Sequence, residues 1–206
     1  MFQKFPSLTR FSHDWTITEK IDGSNGQIVI DPLFSADDAI YRDQALAQIG
    51  EFYVFAGSRN KLLGVGNGND NMGFAQWVQN NAPALVETLG EGRHFGEWCG
   101  SGIQRTYGLN RKLFALFNTK RWTDVPLPDG VTVVPVLAEG YMDDPGTTAR
   151  DCMLAMQMDG SRFAPGFKNP EGVVMRHGPS GTVFKKTYDY DEQGKWAENQ
   201  ARKENA

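Results

Sequence analysis

Apolar and polar residues alternate from Trp15 to Lys20. Trp15, Ile17 and the stem of Glu19 fall on one side and Thr16, Thr18 and Lys20 on the other, which is the period of a strand. Ile28, Val29 and Ile30 restart a strand after Asp22-Gly23-Ser24-Asn25-Gly26. The segment therefore predicts a β-hairpin with those five residues at its tip, since Asp-Gly and Asn-Gly pairs tolerate positive φ. Farther on, EFYVFAGSRNK predicts a strand that delivers Arg59 and Lys61 to its end. Arg93 to Glu97 predicts another, RKLFALFN a third with Leu113, Ala115 and Phe117 on one face, and Val131 to Leu137 a fourth. EGVVMRHGPSGTVFKKTYDYD reads as a hairpin with Gly178-Pro179-Ser180-Gly181 at its tip.

Helical spacing occurs in three places. One helix starts at Ser35 as N-cap, with Asp37 and Asp38 in the first turn and Ala39, Ile40, Leu46 and Ile49 on its apolar face. The next carries Phe74, Trp77, Val78, Leu85 and Leu89, with a bend at Pro83. The last, TTARDCMLAMQMDG, turns Cys152, Met153 and Met156 inward as core. The stretch LLGVGNGNDNMG reads as a mobile surface loop, because Asn69 stands where a dinucleotide fingerprint needs its third glycine. The opening FQKFPSLTRF is expected to pack over the first hairpin, and the tail GKWAENQARKENA to end as a frayed helix. Strands with interspersed helices and hairpins predict an α+β fold of mainly antiparallel sheets with flanking helices.

Length changes the picture little: 206 residues suit one domain, 1–206. No apolar run approaches membrane-spanning length, and MFQKFPSL lacks the apolar stretch of a signal peptide, so a cytoplasmic protein is expected. Two cysteines and three scattered histidines supply neither a disulfide framework nor zinc spacing. A net charge of −4 argues against a protein that coats nucleic acid by bulk electrostatics, but leaves room for a local basic groove.

Four stretches then ask for one explanation: EKIDGSNG, GSRNK, FGEWCGSGIQ, and EGVV with FKK after it. Each sets a charged or hydrogen-bonding residue beside a glycine or a strand end, where a sheet-built site collects its chemistry. Transfer of a nucleotide to a lysine needs a neutral amine, carboxylates for a divalent metal and a ribose, lysines to neutralise a triphosphate, and an aromatic ring for the base. The chain offers Lys20; Glu97 and Glu171; Lys185 and Lys186; and Phe117.

In order and wording these stretches resemble the covalent nucleotidyltransferase superfamily of ATP-dependent ligases and capping enzymes, most closely the RNA ligase 2 family. EKIDGSNG is similar to that family's nucleophile motif, with Asn25 where many DNA ligases have arginine. FGEWCGSGIQ is similar to its Gly-Glu-aromatic-x-Gly-x-Gly-Ile-Gln stretch, and FQKFPSL to its opening. The resemblance implies an ATP-grasp-like ligase catalytic domain in which Lys20 becomes lysyl-AMP. It further implies that Glu19 contacts the adenine edge, Asn25 places a metal-bound water, Arg59 lies near the nucleotide and the 5′-phosphate end, Glu97 binds the ribose and Phe117 stacks on adenine. Glu171 would organise the metal, and Lys185, with Lys186 or Thr187, would contact the phosphates. The implied ligands are ATP as substrate and Mg²⁺ or Mn²⁺, with Glu171 and, through water, Asn25 as the metal residues. The implied partner is RNA with 5′-phosphate and 3′-hydroxyl ends, with DNA as an alternative.

On pattern alone Phe117 is equally a core strand residue, and Glu139-Gly140 rivals Glu171-Gly172, although Glu171 is better placed just before the lysines. The family pattern ends in two lysines separated by one residue, whereas Lys185 and Lys186 are adjacent here and Thr187 takes the next slot. The chain also stops at Ala206, so no separate C-terminal domain is expected; the catalytic domain would then manage alone, oligomerise, or borrow a protein partner for what such a domain does. The readings in view are an RNA ligase, a ligase of DNA or RNA–DNA hybrids, and a nucleotide-binding module without catalysis; a capping-type guanylyltransferase ranks below them.

Overall fold

The alternation that begins at Trp15 becomes a strand, and the computed structural model describes residues 5, 7–32, 42–66 and 68–189 around it. In chain order the elements are β1 (His13–Lys20), β2 (Ser24–Pro32), a 3₁₀ turn (Arg42–Gln44), β3 (Ala47–Ile49), β4 (Phe52–Gly57), β5 (Leu62–Leu63) and α1 (Phe74–Leu89). There follow β6 (Gly92–Gly100), β7 (Lys112–Leu116), the short α2 (Thr119–Trp122), β8 (Val131–Val133), β9 (Val136–Met142), α3 (Pro145–Asp159), β10 (Gly172–His177) and β11 (Val183–Thr187). The fold is α+β, and every paired strand is antiparallel to its neighbour except β8, which runs parallel to β7. No helix among the described residues is long and apolar enough to cross a membrane.

The chain divides into two compact units, one formed by the residues up to Ile21 and from Pro135 on, the other by Asp22–Val134. In the first, a four-stranded sheet has the order β11-β10-β1-β9. One face of it is apolar because Ile17 and Val173 point there, and both are fully buried with Ala149, Met153 and Met156 of α3. Asp144 caps that helix, its carboxylate accepting from the Thr147 amide at 3.0 Å.

In the second unit the sheet runs β3-β4-β2-β6-β7-β8, with β5 beside β4. Ile28, Ile30, Val54, Ala56, Trp98, Phe114 and Leu116 share a core with Phe74, Val78, Ala82, Leu85 and Leu89 of α1. The alternate residues Asn25, Gln27, Phe95 and Glu97 therefore project from the other face of β2 and β6. Burial at spacings of three and four makes α1 a helix in spite of Pro83 inside it.

Several sequence expectations change. The segment 18–30 is not a hairpin: β1 pairs with β9 and β10, β2 pairs with β4 and β6, and residues 21–23 carry the chain from one sheet to the other. Positive φ is not what its glycines supply either, for neither Gly23 nor Gly26 adopts it. They supply close approach: a Cβ on Gly23 would sit 2.4 Å from the Trp98 carbonyl oxygen, and one on Gly26 2.9 Å from the Phe74 ring. The expected strand Val131 to Leu137 is two strands in two sheets, divided at Val134 and Pro135.

The helix expected from Ser35 does not reach Leu46 and Ile49. Ile49 lies in β3, Leu46 precedes it, and Ser35, Asp37, Asp38, Ala39 and Ile40 fall outside the described residues. The glycine-rich stretch after Lys61 contains β5, and its far end is tied down: the Asn71 Oδ1 accepts from the Ser24 hydroxyl at 2.6 Å, and the Met72 carbonyl accepts from Lys112 at 2.6 Å and the Trp98 indole at 3.3 Å. The helices at 74–89 and 145–159 and the hairpin of β10 and β11 are as expected. The opening stretch is described only at Phe5 and from Ser7 on, and the tail expected as a helix lies outside the described residues.

Candidate active site

Lys20 is the last residue of β1, and β-sheet register decides what stands beside it. It is paired with Gly172 of β10, which is paired in turn with Thr187 of β11. The Lys20 Nζ donates to Glu171 Oε2 at 2.6 Å, the Glu171 side chain being 4% exposed and that of Lys20 23%. Gly172 is obligatory, since φ is 150° and a Cβ would lie 2.2 Å from the Lys186 carbonyl oxygen. The rival pair shares the positive φ, 127° at Gly140, but not the close approach or the buried carboxylate: a Cβ on Gly140 would meet nothing within 4 Å, and Glu139 is exposed.

Directly paired residues of an antiparallel ladder project to the same face. Thr18, Val174 and Lys185 form one such row, one step from the row of Lys20, Gly172 and Thr187 and on the same face. Glu19, Val173 and Lys186 form the row between them, on the face that packs α3. Lys185 and Thr187 thus share the face of Lys20, and Lys186 projects from the other.

Glu19 is 1% exposed, and both of its oxygens are engaged. Oε1 accepts from the Ser161 hydroxyl at 2.6 Å, and Oε2 accepts from the amides of Arg162 at 2.8 Å and Phe163 at 2.9 Å. Ser161, which nothing in the sequence singles out, relays the tie to the Ala164 amide at 2.9 Å. Tyr188, donating to the Met153 carbonyl at 2.5 Å, is pushed up to about 12 by burial and by the negative charge of Glu19.

In the other unit Asn25 and Glu97 are register partners on adjacent strands, and Glu97 Oε1 accepts from the Gly23 amide at 3.1 Å. Phe117 lies past the end of β7, with its amide donating to the Phe95 carbonyl at 3.0 Å and the residue 41% exposed. Arg59 is exposed in the turn that the Ser58 amide closes on the Lys61 carbonyl at 2.8 Å. Two residues missed at the sequence level act on the turn: Arg105 Nε donates to Asp22 Oδ2 at 3.1 Å, and the Asp22 amide donates to the Tyr107 hydroxyl at 2.7 Å. Cys99, beside Glu97 in β6, is no nucleophile, because burial and the Glu97 charge push its thiol up to about 12. A cavity of about 370 Å³ lined by Asp43, Leu46, Leu63, Asn69 and Gln79 contains none of the candidate residues.

Among the described residues no group of three or more histidines, cysteines or carboxylates could form a metal cage. The oxygen donors present, Glu171 foremost, fit a hard divalent cation that keeps most of its ligands as water and substrate phosphate.

A sequence model of RNA ligase matches residues 13–187 of the chain. The chain is similar in fold to solved structures of a Naegleria gruberi RNA ligase. A mutant of that protein with ATP and Mn matches with a TM-score of 0.56 and 18% identity over 89% of this chain. Its structure with PPi gives 0.53 and 19% over 93%, and a further mutant with AMP and Mn gives 0.54 and 20% over 89%. The match covers 52% of each of those chains, so this chain spans about half their length. No curated protein matches it.

Proposed function

We propose that this chain, which belongs to the RNA ligase family, is the adenylate-transfer domain of an ATP-dependent RNA ligase with Lys20 as its nucleophile. The observation that carries the reading is the 2.6 Å pair of Lys20 Nζ with the buried Glu171, at a strand end whose face also presents Lys185. The pair holds the amine in a fixed direction. Its proton must leave before the nitrogen lone pair can attack, and it passes to the Glu171 carboxylate or to water as the nucleotide binds.

The neutral Nζ then attacks the α-phosphorus of ATP: an N–P bond forms, the bond from that phosphorus to the bridging oxygen breaks, and pyrophosphate leaves with the electron pair. Lys185 contributes positive charge on the side of the sheet where phosphate charge develops. The adduct nitrogen gives up a proton to solvent; an RNA 5′-phosphate oxygen next attacks the same phosphorus, the N–P bond breaks, and a proton taken back from solvent returns Lys20 to an amine. Finally a 3′-hydroxyl attacks the activated 5′-phosphorus, its proton passes to solvent, and AMP departs.

Glu97 is assigned to the ribose, Phe117 to the base, Arg59 to the 5′-phosphate end, and Asn25 to a water near the α-phosphate. A divalent cation, Mg²⁺ or Mn²⁺, would be held by Glu171 and by water, and would supply charge neutralisation on the phosphates. Glu19 serves the nucleotide by shaping the turn 161–163 to which its carboxylate is committed.

The test is the intact mass of the protein after incubation with ATP and Mg²⁺, beside Lys20→Ala. A gain of one AMP in the wild type alone is expected, reversed by pyrophosphate. A gain that survives Lys20→Ala, or none in a wild type cleared of preloaded AMP with pyrophosphate, overturns the reading. Transfer from the adduct to 5′-phosphorylated RNA, compared with DNA of the same sequence, then reports the strand it serves.

A further inference from the structure

After the glycines at 100 and 102 the backbone enters a run of conformations that residues with side chains rarely adopt: φ is 44° at Gln104, 57° at Thr106 and 55° at Tyr107. A β-branched threonine is the least suited to this region. Such conformations persist only where their surroundings over-determine them, and they concentrate where a site needs a group held in one place. Here the hold is visible. Ile103 is fully buried and Tyr107 is 2% exposed. The Ile103 amide donates to the Gly100 carbonyl at 2.9 Å, the Thr106 amide to Ile103 at 2.9 Å, and the Leu109 amide to Thr106 at 3.1 Å.

What this strained run delivers is a double grip on a single residue. Arg105 Nε donates to Asp22 Oδ2 at 3.1 Å, with both side chains 12% exposed, and the Tyr107 hydroxyl accepts the Asp22 amide at 2.7 Å. Asp22 is thus held by side chain and by backbone from residues two apart. The next residue is held as well, since the Gly23 amide donates to Glu97 and the Trp98 carbonyl leaves no room for a Cβ on it. Asp22 stands two residues after Lys20. Resting on the reading of Lys20 as nucleophile, we propose that Arg105 and Tyr107 are positioning residues that act through Asp22 to fix the chain just beyond the reactive lysine.

The physical advantage is twofold. In-line attack depends on sub-ångström placement, and a loss of about 1 Å costs on the order of a hundredfold in rate. The guanidinium also neutralises a carboxylate close in sequence to an amine that must meet a polyanionic triphosphate, through a charge-assisted bond stronger than a neutral one.

The experiment compares wild type with Arg105→Ala, Arg105→Lys and Tyr107→Phe. It measures the rate of AMP-adduct formation against ATP concentration, and amide hydrogen exchange peptide by peptide. Arg105→Ala and Tyr107→Phe should lower the maximal adduct rate about tenfold to a hundredfold while half-saturating ATP moves little. Exchange should rise in the peptide covering residues 20–26 and stay unchanged elsewhere apart from 103–108, and Arg105→Lys should recover part of both effects. A maximal rate within about twofold of wild type, or a loss that accompanies faster exchange along the whole chain, overturns the proposal. If the wild type forms no adduct, the ligase reading fails. The grip is then judged on exchange alone: retained protection at 20–26 in Arg105→Ala and Tyr107→Phe overturns it, and lost protection confined there supports it.

Discussion

Glu19 illustrates how little a residue's chemistry says about its task until its partners are known. The family resemblance implies a contact with the adenine edge, and in the folded chain the carboxylate accepts three hydrogen bonds from Ser161, Arg162 and Phe163. Removing a buried charged acceptor leaves donors without partners, and each such donor costs about 1–3 kcal/mol. Glu19→Ala is therefore expected to destabilise the protein by about 3 kcal/mol or more in urea unfolding. Glu19→Gln should be milder but still destabilising, because its amide hydrogens meet backbone N–H groups. A Glu19→Ala variant of wild-type stability whose only defect is weaker ATP binding would return the residue to the adenine edge.

At the scale of elements, register does what the sequence pattern alone cannot. Adjacent lysines in a strand project to opposite faces, so Lys185 and Lys186 cannot serve one phosphate group together from β11. Val174 pairs with Lys185 and Thr18, placing that lysine on the face of Lys20, whereas Val173 pairs with Lys186 and Glu19 on the face of α3. Lys185→Ala should slow lysyl-AMP formation about a hundredfold, the scale of losing one charge-stabilising donor, and Lys186→Ala less than about tenfold. Single-turnover assays with α-labelled ATP measure both, and the reverse order would mean that β11 shifts its register when nucleotide binds. The same logic explains the Lys-x-Asp-Gly-Ser-Asn-Gly stretch. Its composition resembles a hairpin tip, but its glycines are there because the Trp98 carbonyl and the Phe74 ring leave no room for a Cβ.

Across the whole molecule, acid is expected to act on the two units in different ranges. His94, in the unit 22–134, is held below its ordinary 6.5 by burial, with Arg121 pushing the same way and a hydrogen bond to the Gly90 carbonyl opposing. A group whose folded value is depressed gives its full stability above the unfolded value, so this contribution begins to fade once pH drops below about 6.5. Asp144, in the other unit, is lowered from 3.8 by the side-chain and backbone hydrogen bonds from Thr147, so the helix cap is lost only as pH falls below about 3.8. Hydrogen exchange followed down a pH series, corrected for intrinsic rates, should show peptides of 22–134 losing protection first. His94→Gln should remove most of that first loss, and simultaneous loss in both units would refute the assignment.

The sequence by itself determined the antiparallel α+β character, the helices at 74–89 and 145–159, the hairpin that ends in the lysines, and the family, together with Lys20, Glu97 and Glu171 as candidates. These are legible because strand and helix periodicity is local, and because the candidate residues stand beside glycines or strand ends within short stretches of the chain. Only the tertiary structure decided that β1 and β2 belong to different sheets, that Glu171 and not Glu139 meets Lys20, which lysine shares its face, and that Arg105 and Tyr107 grip Asp22. Each of these depends on pairing between segments far apart in sequence, where a shift of one residue exchanges the two faces of a strand. No local pattern carries that information.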